Sequence, residues 1–464
     1  MPLPPFVQST GVGYRRLGGA DPIYIGGGAL GGQFPLSFDA TNQQFKTSGG
    51  LPFPLFGESG WENGRLIPVD QHDYIDAIVA RGYTATLNQG PLSLKYTPGG
   101  NDNGDPYFNV SGGSGVEGAP IFDLSTPNTN AFNNIRASLM YAQSRGVLSF
   151  FYPAYSGFAG TQEGIIDAVL AATDAQCEAY GVYIGNLIKD IPGVIIVLFG
   201  DRLPDATGLE KYRRMVVGIK SVDMYGRIYT GHTARTGSPY DANGVTAGYI
   251  TALGVTFIDT AYSREAGTLA MTHDECLTSY ATPHAVQFIE GYYVGNSQQI
   301  ADSLLMRRQF WGAWLSGALG TMFGDSLRYN FPVGWRTTLS DTNLAYEAIC
   351  IAALKQRTVT KLVPNTGTGL VTSGGGTRNT LTYKSRAVAR DGSWGACHVL
   401  DGSATTFDFS VFNGTKTVKW LDPTAASSST NPTVVGTHAN TGTQSYTPSG
   451  NNAAGGTDWI WLAE

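Results

Sequence analysis

Eight short apolar runs recur between residues 53 and 326, and stretches with helical periodicity separate many of them; this alternation restricts the chain to repeated strand–helix units. The runs are FPLFGESGW (53–61), GYTATLNQG (82–90), GVLSFFYPAYS (146–156), GVIIVLFGD (193–201), RIYTGHTAR (227–235), GVTFIDTAYS (254–263), HAVQFIEGYY (284–293) and GTMFGDS (320–326). Helical patterns occupy 70–81, with Asp70 at the expected N-cap, 129–145 with Ile135, Leu139 and Tyr141, and 162–190, long enough for a helix in two parts. They continue at 208–225, 297–317 and 341–356. Gly82, Gly146 and Gly226 stand just ahead of strands, where a left-handed C-cap is expected. Eight strands with intervening helices predict an α/β fold, a (β/α)8 TIM barrel, whose usual length is ~250 residues before insertions. The polar, Gly-rich insertion at 91–128 is expected to form a loop over the barrel mouth.

Three segments follow from texture. Residues 1–35 read as a Gly/Pro-rich arm, 36–357 as the barrel, and 358–464 as an antiparallel β-sandwich, because Thr, Ser, Gly and Asn there surround alternating segments such as LTYKSRAVAR and TFDFSVF.

Only 14% of residues are charged and the formal net charge is −6, so the chain lacks the basic field that nucleic acid or an anionic membrane demands. No apolar stretch approaches ~18 residues, which argues against membrane insertion, and MPLPPFVQSTGVGYRR does not read as a signal peptide. The 24 tyrosines and eight tryptophans suit rings stacked on sugars, and a polysaccharide or oligosaccharide is the expected partner. An extracellular or virion-associated setting is expected. Cys177, Cys276, Cys350 and Cys397 lack paired spacing, so free buried thiols are the default. His72, His273 and His438 have no ligand spacing, and no metal is expected. GGGALGG (26–32) and SGGGT (373–377) lack the helix and acid of a dinucleotide loop, so no cofactor is expected.

In a barrel, groups at the C-terminal ends of the strands converge on one mouth. The acids there are Glu58, Asp201, Asp259, Glu290 and Asp325. Asp201 and Glu290 are the preferred catalytic pair: each ends an apolar run and precedes a loop with polar or aromatic residues, Arg202 after the first, Tyr292 and Tyr293 after the second, and Arg202 and Tyr292 are expected substrate contacts. Two carboxylates facing across a pocket are what glycosidic cleavage needs, and their separation distinguishes retention from inversion. Competing readings make Asp201 a helix cap or a partner of Arg202, and Glu290 a partner of Arg307 or Arg308. Glu58 and Trp61 are candidates for the floor of a sugar site, Trp61 equally for the core. Asn88, Gln89, Tyr152 and Tyr155 carry polar tips suited to hydroxyls, and His232 is expected to bind a sugar hydroxyl or orient Glu290, the competing reading being a structural group. Asp259 and Asp325 are placed in loops or in support of the site.

The succession LPFPLFGESGW, YIDAIVARGYTATLNQ, VIIVLFGDR, RIYTGHTAR, PHAVQFIEGYY, RRQFWGAWLSGALGTMFGD and WLDPT…DWIWLAE resembles the apiosidase-like glycoside hydrolases, family 140, over roughly residues 40–464. The resemblance implies a catalytic barrel, a C-terminal β-sandwich and a retaining mechanism, with Asp201 of FGDR matching the acid/base and Glu290 of FIEGYY the nucleophile. Two positions depart from the family pattern. Glu58 within GESGW stands where Gly-Asp-Thr is usual, and Tyr262-Ser263 where Gln-Ser is usual; both would line the sugar subsite, so apiose is not carried over. The expectation is a retaining glycoside hydrolase of a plant or bacterial-surface polysaccharide. The alternatives are a non-catalytic glycan-binding or phage virion structural protein on the same fold, and an inverting hydrolase.

Overall fold

The computed structural model describes residues 30–92, 100–115, 120–233, 252–263, 271–281, 285–295, 303–367 and 369–464. Eight strands form its centre: β1 (Leu55–Glu58), β2 (Ala85–Asn88), β3 (Leu148–Phe151), β4 (Val194–Phe199), β5 (Ile228–His232), β6 (Thr256–Tyr262), β7 (Val286–Glu290) and β8 (Ala318–Asp325). Each pairs in parallel with the next, and β8 returns to β1 with Gly320 opposite Leu55 and Phe323 opposite Glu58. The sheet is closed, and the TIM barrel expected from the eight runs is the fold observed.

Strand alternation explains the packing. Leu55, Leu87, Phe150, Ile195, Val197, Ile228 and Ile258 point inward and meet Met322, while Phe56, Phe151, Ile196 and Tyr229 point outward to the helices. Each such side chain, fully buried, contributes roughly 1.5–3 kcal/mol. Gly57 makes room for Met322, since a Cβ there would lie 1.9 Å from its sulfur. Phe34, Phe45 and Phe53 join the same cluster at the N-terminal end of the barrel, Phe45 from a small hairpin of Ser37–Asp39 and Gln44–Lys46.

The helices agree with their patterns, with corrections at the ends. The 162–190 stretch divides into Ile166–Ala171 and Asp174–Ile188, because Thr173 and Gln176 form a capping box that restarts the helix. Gly82, Gly146 and Gly226 all adopt positive φ. Asp70, however, is not an N-cap. Pro68 opens the Pro68–Ala80 helix, Ile67 occupies the cap without a side-chain bond, and Asp70 in the first turn pairs with Arg336. Part of 297–317 lies outside the described residues; Ser303–Trp314 is helical. Among the described residues no helix is long and apolar enough to cross a membrane.

The insertion also needs correction. In place of a polar loop, it contains an antiparallel hairpin of Phe108–Ser114 and Pro120–Pro127, whose Phe108, Phe122 and Leu124 are buried with Phe132 and Tyr180 on the helical layer. Four large apolar side chains, Tyr107 included, are withdrawn from water this way. After the barrel come a six-stranded and a three-stranded antiparallel sheet. Leu370, Val399, Phe407, Val418 and Trp461 fill the space between them, with Phe407 and Trp461 stacked at 3.8 Å. Ile460 and Leu462, on the other face, pack with Trp311 and Leu354 of the barrel helices. All four cysteines are buried and none is in a disulfide.

Candidate active site

Asp201, His232 and Glu290 meet at the mouth. Strand β4 does not run on to Asp201 as its apolar pattern suggests. It ends at Phe199, and Phe199, Gly200 and Asp201 take φ of +68°, +145° and +55°. That left-handed excursion interrupts the alternation: Phe199 turns out to meet Tyr212 of the following helix, ring centroids 4.9 Å apart, and Asp201 is delivered to the mouth. Left-handed backbone in non-glycine residues costs about 1–3 kcal/mol each and survives where surrounding structure enforces it, often at functional sites. Tyr155 is part of that enforcement, donating its hydroxyl to Asp201 Oδ2 at 2.8 Å. The next helix, Ala206–Val222, is capped by Asp205, whose Oδ1 accepts from the Gly208 amide at 2.9 Å. The helix-cap reading of Asp201 is therefore overturned.

Glu290 reaches the mouth through an irregularity in β7. Ala261 pairs with Phe288 but Tyr262 pairs with Glu290, leaving Ile289 as an extra residue. A bulge of this kind re-aims the side chain after it. Glu290 thus shares the register of inward-facing Tyr262. It does not pair with Arg307, whose guanidinium is held bidentately by Asp458, and Arg308 donates to the Leu381 carbonyl.

His232, at the end of β5, is fully buried between the two acids. Its Nε2 stands 3.1 Å from Glu290 Oε2 and 3.3 Å from Asp201 Oδ1, while Nδ1 meets the Tyr152 hydroxyl at 3.2 Å. The acids keep side-chain exposures of 13% and 10%, so they alone of the three are open to an incoming molecule. One oxygen of each acid and one nitrogen of His232 lie within 4.8 Å of one another. Burial opposes charge on the imidazole, yet the Glu290 contact and both carboxylate charges outweigh it and raise the His232 pKa above the usual histidine value.

Aromatic rings wall the site. Trp61 lies nearly parallel to His232 at 5.7 Å and beside Tyr152 and Tyr155 at 5.1 and 5.4 Å. Its indole N–H donates to the Tyr293 hydroxyl at 2.6 Å. Tyr262 stands 5.2 Å from the His232 ring. Trp61, Tyr152, Tyr155, Tyr262 and His232 are thus gathered around the acids. Arg202 lies beside them but holds the Gly157 and Ser156 carbonyls, and Gln89 contacts the Glu163 carbonyl at 3.4 Å, so both brace the loop after β3.

Three expected sugar contacts lie elsewhere. Glu58 is outward in the β1 alternation and is sealed behind the barrel wall, bonded to Tyr74 and to Arg328, which also pairs with Asp325. Burial pushes its pKa up, partly countered by Arg328. Asn88, outward on β2, is bonded to Asn63 and the Gly90 amide. Tyr292 turns toward the outer helical cluster, its backbone held by Gln309; its neighbour Tyr293 takes the inner place. The sequence offered no clear signal to choose Tyr293, since the bulge at Ile289 upsets the counting. Asp259 is buried, its Oδ1 accepting from the Thr260 amide. The three histidines without ligand spacing are apart: His72 stacks on Tyr141, His273 on Tyr383 and His438 on Phe409.

The closed parallel barrel, with Asp201 just beyond β4 and Glu290 at the end of β7, has a glycoside-hydrolase-like TIM-barrel fold. The family follows from the sequence: residues 39–331 match the model of the apiosidase-like catalytic domain, and the chain belongs to that family. Among solved structures it is similar to a protein described as a glycoside hydrolase, with 16% identity and a TM-score of 0.71, covering 93% of this chain and 97% of that one. A glycoside hydrolase family 5 protein from Bacteroides vulgatus has 15% identity and a TM-score of 0.71, covering 92% of each chain. A putative glycoside hydrolase from the same organism has 11% identity and a TM-score of 0.63, covering 94% and 83%. At these identities the likeness speaks for the fold. Among curated proteins, none matches the sequence.

Proposed function

We propose that the chain is a retaining glycoside hydrolase of a plant or bacterial-surface polysaccharide, working outside the cell or on a virion. The observation that carries the reading is the spacing of the acids, with an Asp201 and a Glu290 oxygen no more than 4.8 Å apart. Retaining enzymes hold their carboxyl groups about 5–5.5 Å apart, whereas inverting ones need ~6.5–9.5 Å to admit a water between them. Glu290 attacks the anomeric carbon as Asp201 protonates the departing oxygen, forming a glycosyl ester on Glu290. Asp201 then takes a proton from water, which attacks the same carbon and frees Glu290.

The surroundings suit those roles. Tyr155 fixes the rotamer of Asp201, and Tyr152 fixes the ring of His232, whose Nε2 faces both acids. Trp61, buried and held by its bond to Tyr293, packs on His232 and keeps the imidazole in place beneath the acids. The test is a screen of defined plant and bacterial-surface polysaccharides, with products read by mass. Glu290→Ala and Asp201→Asn should each lose about a thousandfold or more of the wild-type rate. Near wild-type turnover in either variant overturns the assignment.

A further inference from the structure

The three groups at the mouth have a second competence. His232 Nε2 and Glu290 Oε2 are buried and, although 3.1 Å apart, are not aligned as a hydrogen bond with any partner among the described residues. Nε2 also faces Asp201 Oδ1 at 3.3 Å. A four-coordinate zinc ion with bonds of about 2.0–2.2 Å sets its ligand atoms roughly 3.3–3.5 Å apart. Two edges of the triangle are already near that length, and the third, within 4.8 Å, closes by rotating a carboxylate. One imidazole with two carboxylates favours zinc over calcium or magnesium, which seek oxygen cages. The Tyr152 hydroxyl on Nδ1 is the outer partner that orients a metal-binding imidazole.

We infer that Asp201, His232 and Glu290 form a chelating site for a zinc-class divalent cation, at which the ion excludes the glycan and holds the hydrolytic centre off. The inhibitory part rests on the hydrolase reading above, because an acid bound to the ion neither protonates a leaving group nor attacks a sugar. The binding part does not.

The experiment titrates the intact protein with zinc chloride against a chromophoric zinc chelator at fixed pH. Wild type should take up one ion per chain. Glu290→Gln and His232→Gln should bind at least about tenfold more weakly, and Tyr152→Phe roughly 10–100-fold more weakly. His72→Gln, on the outer helices, should bind as wild type does. Glu290→Gln preserves shape, and its circular dichroism spectrum reports whether it folds. Absence of stoichiometric binding, or undiminished binding by folded Glu290→Gln, overturns the site. In the activity arm, zinc should compete with the polysaccharide and a chelator should restore the rate. Zinc uptake without cleavage of any glycan refutes the hydrolase reading alone, and cleavage without zinc uptake refutes the metal site alone.

Discussion

Replacing Asp458 by Asn should unlock the C-terminal sheets from the barrel. Asp458 is fully buried and Arg307 3% exposed; two bonds of 2.8 and 2.7 Å join them, and Asn452 donates to the same carboxylate at 2.7 Å. Arg307 belongs to the Ser303–Trp314 helix that follows β7, so the pair ties the final strand of the chain to the element behind Glu290. Asn keeps the volume but leaves the guanidinium buried without its counter-charge. Removing one partner of such a pair costs about 3–5 kcal/mol, while replacing both by apolar residues is often nearly neutral. Urea unfolding at pH 7 should therefore show Asp458→Asn less stable by about 3–5 kcal/mol, and Arg307→Met with Asp458→Leu should recover most of it. The pH dependence gives a second reading. Burial opposes charge on Asp458, but Arg307 and His398 more than compensate and hold its carboxyl well below the usual range. A depressed carboxyl stabilises the fold above its unfolded value of about 3.9 and loses that contribution as pH falls through the folded value. The gap between wild type and variant should narrow steadily below pH ~4. A loss under about 1 kcal/mol at pH 7, or a gap indifferent to acid, refutes the reasoning.

Other consequences are as specific. Gly200→Ala places a Cβ 2.0 Å from a Tyr155 ring carbon at φ +145°, so it should displace the tyrosine that fixes Asp201 and lower turnover roughly 10–100-fold, measured on whichever glycan the screen identifies. Asp205→Ala should cost about 1 kcal/mol of stability and leave turnover intact, whereas Asp201→Asn should do the converse; denaturant curves and rates on the same samples decide it. Glu62 is buried, and despite Arg65 its pKa is raised to about 7. Its folded value lies above the unfolded one, so the fold favours the neutral acid and loses roughly 3 kcal/mol as pH rises from about 4.5 to 7. Glu62→Gln should remove that decline from a stability-versus-pH curve.

The barrel was legible because an apolar run followed by a helical pattern and a glycine cap repeats, and Val, Ile, Leu and Phe fill both faces of a parallel strand. The positions of Asp201 and Glu290 at strand ends were legible for the same reason. Side-chain direction was less so. Glu58 looked like a mouth acid by its place at the end of β1, yet simple alternation from inward Leu55 already sends it outward, toward Tyr74 and Arg328. Tyr292 and Tyr293 could not be told apart, because the extra residue at Ile289 shifts the period by one. The left-handed turn at Phe199–Asp201 left no mark beyond Gly200, since its cause is tertiary: Tyr212 receives Phe199 and Tyr155 receives Asp201. The hairpin at 108–127 hid among polar and glycine residues, although Phe108, Phe122 and Leu124 were visible as apolar anchors. Asp70 has the residue type of a cap, but Pro68, two residues earlier, is the stronger start signal.

The most direct test of the two-carboxylate account is the mass spectrum of the protein after reaction with an activated 2-deoxy-2-fluoro glycoside of the sugar it cleaves. A single glycosyl adduct mapped to the peptide containing Glu290, and absent from Glu290→Gln, is the result the account predicts. An adduct on another residue, or hydrolysis that inverts the anomer with no adduct formed, would contradict it.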